Sequence, residues 1–376
     1  MAEFDLSQYP PFTIPTRILL GPGPSSADPR ILRAMAAPLV GHLDPAFLQL
    51  MDRIQGLLRY TFETQNAMTM AVPGTGMAAM ETAVANLVEP GDSVLVCVHG
   101  FFSARIAEIA RRCGGDVAVL QKPWGEVFTA EEVQAELHRR PARIVGIVEA
   151  ETSTGILQPI AEIASAAHAQ GGLLIVDAVT ALGGVPVQVD AAGIDACYSC
   201  SQKCLGCPPG ASPVTFSPLA EEKIKNRKTP ANTWYLDASL LSRYWGGERM
   251  YHHTAPITLM YALYEGLRIV AEEGLEARFA RHRRNAQLLW QGLEELDLDL
   301  FAPEAHRLPT LTTVRVPAGV DDLAVRKRLL NEYNIEIGGG LGDLKGKVWR
   351  VGLMGFSSRP EYVMMLLGAL KTILKG

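Results

Sequence analysis

The sequence predicts an α/β fold: a mostly parallel central sheet in a large domain, then a smaller α+β C-terminal domain. Three observations predict it. Short, continuous apolar runs recur at 68–72, 93–98, 117–120, 144–149, 173–177 and 196–200. Helix-like stretches such as 103–112, 130–139 and 161–170 separate most of them. Beyond residue 257 the pattern changes to long helical stretches and one alternating strand. Strands that are apolar throughout, and are separated by helices, belong to a parallel sheet covered on both faces.

Composition narrows the class further. The chain has 376 residues, 48% apolar and 20% charged, with 35 Lys+Arg against 40 Asp+Glu and a net charge of −5. That composition excludes a disordered or collagen-like chain. At roughly 150 residues per domain, two or three domains are expected. Without a long Lys/Arg run, nucleic acid is not an expected partner. No apolar run reaches the roughly 18 residues of a membrane span, so no membrane is expected either. The start, MAEFDLSQYP, lacks a basic-then-apolar pattern, so no signal peptide is expected. Six cysteines fit a reducing compartment, and a cytoplasmic location is expected.

Taken in order, residues 1–24 are Pro-rich and end in Gly21-Pro22-Gly23-Pro24, which reads as an N-terminal arm. The strand at 68–72 runs into Pro73-Gly74-Thr75-Gly76-Met77. This opens a helix whose apolar face is Met80, Ala83, Val84 and Leu87. Bare backbone N–H groups at a helix N-terminus make a phosphate cradle. The same glycines fit a dinucleotide-binding pattern, which wants an acidic residue at the end of the next strand. That strand, SVLVCV, ends in His99-Gly100, which counts against NAD.

The strand at 173–177 ends on Asp177. One strand later, Ser199-Cys200-Ser201-Gln202-Lys203 is followed by Gly206-Cys207-Pro208-Pro209-Gly210. Alone, Asp177 reads as a helix N-cap and Lys203 as a solvated turn lysine. Together, beside a phosphate loop, they answer one chemical need. A lysine amine condenses with an aldehyde cofactor. A carboxylate keeps a pyridine nitrogen protonated, and a helix N-terminus holds a phosphate. These are the protein needs of pyridoxal 5′-phosphate, PLP.

Residues 257–295 read as helical, 308–316 as a half-buried strand, 321–333 as a helix, then Ile335-Glu336-Ile337, a strand at 348–353 and a closing helix at 360–374. The expected division is an arm at 1–24, a large PLP-binding domain at 25–273 and a small C-terminal domain at 274–376.

The motifs LLGPGPS (19–25), PGTGMAAMETAVANLVEPGD (73–92), ETSTGILQPI (151–160), LLIVDAVTALGGVP (173–186), YSCSQKCLGCPPGAS (198–212), YHHTAP (251–256), LPTLTTV (308–314) and GKVWRVGLMG (346–355) occur in order along the chain. Through them the sequence resembles the class V, fold-type I aminotransferases, and within these the alanine–glyoxylate and serine–pyruvate branch. The resemblance implies PLP carried on Lys203, with Asp177 on the pyridine nitrogen. Thr75 and Gly76 would bind the phosphate with Gln202 beside them, and Thr152 would contact the phenolic oxygen. Phe102 stands where the family stacks an aromatic ring, often Trp, on the cofactor. Met77 stands where a His often follows the phosphate loop; its backbone N–H would still serve. Tyr251 and Thr254 would reach the site of a partner subunit, which implies a homodimer. Arg350 would clamp the substrate α-carboxylate. The implied reaction is ping-pong transamination, through pyridoxamine phosphate, between a small amino acid (alanine or serine) and a 2-oxo acid (glyoxylate or pyruvate).

The main alternative is another fold-type I PLP enzyme, a lyase of the cysteine desulfurase or kynureninase kind. Desulfurase chemistry needs a nucleophilic cysteine on a mobile loop in the C-terminal half, and no cysteine follows Cys207. Cys197, Cys200, Cys204 and Cys207 surround Lys203, but their spacing is not that of a four-cysteine zinc site, and no metal is expected.

Overall fold

The computed structural model describes residues 4–375. Residues 1–3, where the expected arm begins, and residue 376, where the expected small domain ends, lie outside the described residues. The central sheet has seven strands, in the order Met68–Gly74, Gly210–Phe216, Ala196–Tyr198, Leu173–Asp177, Ile144–Val148, Ser93–Val98 and Asp116–Gln121. The last five of these pair in parallel. Gly210–Phe216 runs antiparallel to both of its neighbours. The sheet is therefore mixed and mostly parallel.

Gly210–Phe216 was not among the expected strands, since Gly210 and Pro213 both read as breakers. Pro213 is tolerated because it precedes the stretch Val214–Phe216 that pairs with Ala196–Tyr198. A proline, lacking an N–H, fits where a ladder begins.

Helices Gly76–Leu87, Phe101–Arg112, Ala130–Arg139 and Ala161–His168 fill the crossovers. Their apolar residues merge with the sheet in one core that includes Met80, Val84, Ile106, Val133 and Ile163. Crossovers of this kind bring the carboxyl ends of the parallel strands to one side. There the chain presents Thr75–Gly76, Phe102, Ala150–Thr152, Asp177 and Lys203.

The stretch at 257–295 forms two helices, Ile257–Glu273 and Leu275–Glu294, rather than one. Gly274 separates them at φ 80°, a left-handed conformation that favours glycine. A second sheet holds Leu311–Arg315, Val348–Gly352 and Gly338–Gly339 in antiparallel order. Leu20, Leu289, Val314, Leu329, Trp349 and Leu366 belong to its separate core. Ile18–Leu19 pairs in parallel with Ile335–Glu336, so this part of the expected arm is a strand anchored on the second core. Among the described residues, no helix is long and apolar enough to cross a membrane.

Candidate active site

A cavity of about 280 Å³ opens where the strands end. Thr75, Gly76, Met77, Phe102, Thr152, Asp177, Gln202 and Lys203 all line it. Eight of the eleven site residues expected from the sequence thus meet in one place. Asp177 closes its strand and is 2% exposed. Its Oδ1 accepts from Val179 N–H at 2.9 Å, and its Oδ2 from Tyr198 Oη at 2.9 Å. Burial pushes the carboxyl up to about 7; these two hydrogen bonds oppose the shift.

Lys203 sits on the turn that follows the neighbouring strand, and its Nζ donates to Pro22 O. Burial pushes the amine down from its usual value; the Cys200 thiol opposes this, and the Arg350 guanidinium adds to it. From the sequence, Pro22 and Gly23 read as the end of the arm and not as site residues. Gly23 has φ 113°, and a Cβ there would lie 2.7 Å from Lys203 Nζ. The glycine is needed both for its backbone and for the lysine's room.

Thr75 is the N-cap of Gly76–Leu87, yet its side chain makes no capping bond. Ala78 N–H donates to Thr75 O at 2.7 Å, which leaves the Gly76 and Met77 N–H groups and the Thr75 hydroxyl available to an anion. Gly74 holds φ 124°, which lets the strand turn sharply into this helix. Gln202 Oε1 is buried without a hydrogen-bond partner. Met77 Sδ accepts from Arg105 Nη1 at 3.6 Å, so the Met77 side chain has a contact of its own. Phe102 is half-buried and meets Phe101 edge-on, with ring centroids 5.6 Å apart. Thr152 Oγ1 shares a 2.6 Å hydrogen bond with Thr180 Oγ1.

The other three expected residues do not line the cavity. Arg350 is adjacent and 6% exposed. Its Nε donates to Gly339 O at 2.8 Å and its Nη1 to Thr152 O at 3.2 Å. Burial pushes the guanidinium down to about 10, and the Glu151 carboxylate partly offsets this. Tyr251 is 57% exposed and lies against His42, with ring centroids 5.2 Å apart. Thr254 is exposed on the same segment.

The four cysteines around Lys203 are buried, and those with resolved contacts face different groups. Cys204 Sγ points to Thr180 O and Cys207 Sγ to Ala262 O, while Cys200 packs against Gly76. Burial pushes the Cys200, Cys204 and Cys207 thiols up to about 12. Among the described residues, no group of three or more His, Cys, Asp and Glu is arranged to hold a metal.

The chemistry of the cavity fits PLP. An amine, a buried carboxylate, an open helix N-terminus, a glutamine amide and an aromatic side chain line one space. Tyr198 and Thr180 went unremarked in the sequence, since their links to Asp177 and Thr152 span 21 and 28 residues.

The chain is similar to known proteins along nearly its whole length. The family model described as aminotransferase class-V matches residues 32–344. Alanine–glyoxylate aminotransferase of Mus musculus is 42% identical over 369 residues, covering 97% of this chain and 89% of that protein. (S)-ureidoglycine–glyoxylate transaminase of Bacillus subtilis is 39% identical over 378 residues, covering 96% and 91%. The crystal structure of an alanine–glyoxylate aminotransferase from Nostoc sp. superimposes with a TM-score of 0.97 at 55% identity, covering 99% of this chain and all of that one. This chain therefore belongs to the class-V aminotransferases and is a PLP-dependent enzyme.

Proposed function

We propose that this chain transaminates between a small amino acid, alanine or serine, and a 2-oxo acid, glyoxylate or pyruvate. The observation that carries the reading is the meeting of Lys203, Asp177 and the Thr75–Gly76 helix start in one cavity. The names of two relatives, both glyoxylate transaminases, support glyoxylate as the acceptor.

Lys203 would hold PLP through its amine and Asp177 would pair with the pyridine nitrogen. Thr75, Gly76, the Met77 N–H and Gln202 would hold the phosphate, Phe102 would stack on the ring and Thr152 would reach the phenolic oxygen. When bound, PLP supplies the aldehyde and a protonated ring that accepts charge from the substrate α-carbon. Once freed, Lys203 would take the α-proton of the substrate, hold it on Nζ and give it back to complete the transfer. It must be neutral to do so, and its burial favours that state. Asp177 must be ionised; burial opposes that state, while the Val179 N–H and Tyr198 O–H favour it. Arg350 has two donors committed to carbonyls, which leaves its other N–H groups for the α-carboxylate. Gly338 packs on Pro22 beside Arg350 Nη2, and this crowding supports a small substrate side chain. The same residues serve both half-reactions in turn, as a ping-pong scheme requires.

The site is completed in a homodimer, with Tyr251 and Thr254 reaching the cavity of a second copy. Their exposure supports this, as does the exposed apolar surface of Trp234, Tyr235 and Met250 nearby in the sequence. The division into an arm (1–24), a large domain (25–273) and a small domain (274–376) draws support from the two cores, but Leu275, Phe279, Leu308, Leu311 and Met354 join the first core and Leu20 joins the second. Six free cysteines support a cytoplasmic setting. Against a desulfurase-type lyase stands the absence of any cysteine after Cys207.

The test is a visible spectrum of the holoprotein. A band that bleaches with L-alanine and returns with glyoxylate is expected. Bleaching by serine alone would change the donor, and a protein that does not take up added PLP would overturn the reading.

A further inference from the structure

We propose that Glu151 is a positioning residue for the transamination: one buried carboxylate whose side chain seats Phe102 and whose main-chain turn seats the Thr152 carbonyl against Arg350. The proposal rests on the reading of Phe102 and Arg350 given above.

Glu151 is 0% exposed. Its Oε1 accepts from Ser153 Oγ at 2.6 Å and Ser153 N at 3.1 Å. Its Oε2 accepts from Ser103 N at 3.1 Å, Phe102 N at 3.2 Å and Ser103 Oγ at 3.3 Å. None of these five donors is a cation. A buried carboxylate is costly unless its oxygens are satisfied, and here a helix N-terminus and two serines satisfy them. The helix Phe101–Arg112 starts at Gly100, which has no side chain with which to cap it. Glu151 fills that role from another crossover. Gly100 is matched to it, because a Cβ there would overlap the Glu151 side chain.

The main chain of Glu151 does the second job. Its carbonyl accepts from Thr154 N at 3.2 Å and Gly155 N at 2.9 Å, closing the turn that carries Thr152. Thr152 O then accepts from Arg350 Nη1. Ser153 links the two halves: its Oγ donates to Glu151 and accepts from Phe101 N at 3.0 Å. The ring-stacking residue and the carboxylate clamp, on elements far apart in sequence, are thus referred to one residue, Glu151. Such a supporting contact decides how closely a site keeps its working geometry.

The test is Glu151→Gln, which keeps the shape but sets an NH2 group among N–H and O–H donors. Four readouts are compared with the wild type. The PLP dissociation constant should rise about tenfold, as expected when bonds to a charged group are lost. The induced visible circular dichroism of bound PLP should weaken. The KM for L-alanine should rise by a larger factor than kcat falls. Amide exchange at Phe102 and Ser103 should quicken in the cofactor-free protein. Faster exchange with an unchanged dissociation constant, dichroism and KM would make Glu151 a helix cap only and overturn the proposal. If Glu151→Gln does not fold, Ser153→Ala replaces it; unchanged PLP affinity and dichroism there would likewise overturn it. A wild-type chain that fails to bind PLP would overturn the site reading itself, and the proposal with it.

Discussion

Tyr198 Oη donates a 2.9 Å hydrogen bond to Asp177 Oδ2 from the register position directly opposite it on the neighbouring strand. Tyr198 is fully buried. The sheet itself therefore supplies a donor to the carboxylate that would face the pyridine nitrogen. A hydrogen bond to a charged group contributes about 1.5–3 kcal/mol. Tyr198→Phe keeps the ring and removes the donor. PLP affinity should fall about tenfold or more, read by absorbance titration, while the unfolding midpoint moves by a few degrees. Unchanged affinity would remove Tyr198 from the site.

Asp177 also sets a dependence of stability on pH in the cofactor-free protein. Burial raises its pKa from 3.8 to about 7 in the fold. A raised acid stabilises the fold fully below the unfolded value and loses that contribution as pH rises toward the folded value. The loss therefore falls between pH 4 and pH 7 and amounts to about 4 kcal/mol at most. Asp177→Asn cannot ionise. Without cofactor it should melt higher than the wild type at pH 8 and close to it at pH 4, yet lose PLP affinity and turnover. Parallel melting curves at both pH values would contradict the burial argument.

Arg350 is tied to two backbone carbonyls, so its loss should be felt mainly where its free donors meet substrate. Arg350→Ala is expected to raise the KM for L-alanine about a hundredfold, the scale of a lost bidentate ion pair. PLP affinity should change by less than tenfold. Steady-state kinetics with a parallel PLP titration separates the two, and an unchanged KM would count against the clamp.

Gly23 faces the lysine so closely that a methyl group there must push it aside. Gly23→Ala should cut turnover about a hundredfold or more through misplacement of the amine. Gly171 is the control: it has φ 70° with open space around it. Gly171→Ala should carry only backbone strain of about 1–2 kcal/mol and leave turnover intact. Equal effects of the two substitutions would contradict a specific role for Gly23.

Much of this was legible in the sequence, because buried strands write themselves as apolar runs. Asp177, Lys203 and the Thr75–Gly76 turn stand at the ends of such runs, and the fold brings strand ends together. The strand Gly210–Phe216 was illegible because Gly210 and Pro213 mimic a loop. The break at Gly274 hid within a long helical pattern. Tyr198, Thr180, Pro22 and Glu151 stayed invisible for another reason. Each acts through hydrogen bonds that only the sheet register and the crossovers create, and no local pattern marks them.

The central claim is that Lys203 carries the cofactor. The most direct measurement is borohydride reduction of the holoprotein, followed by peptide mass spectrometry. The expected result is a phosphopyridoxyl group on Lys203 alone, absent from Lys203→Ala. A group on another lysine, or retained in the variant, would contradict the claim.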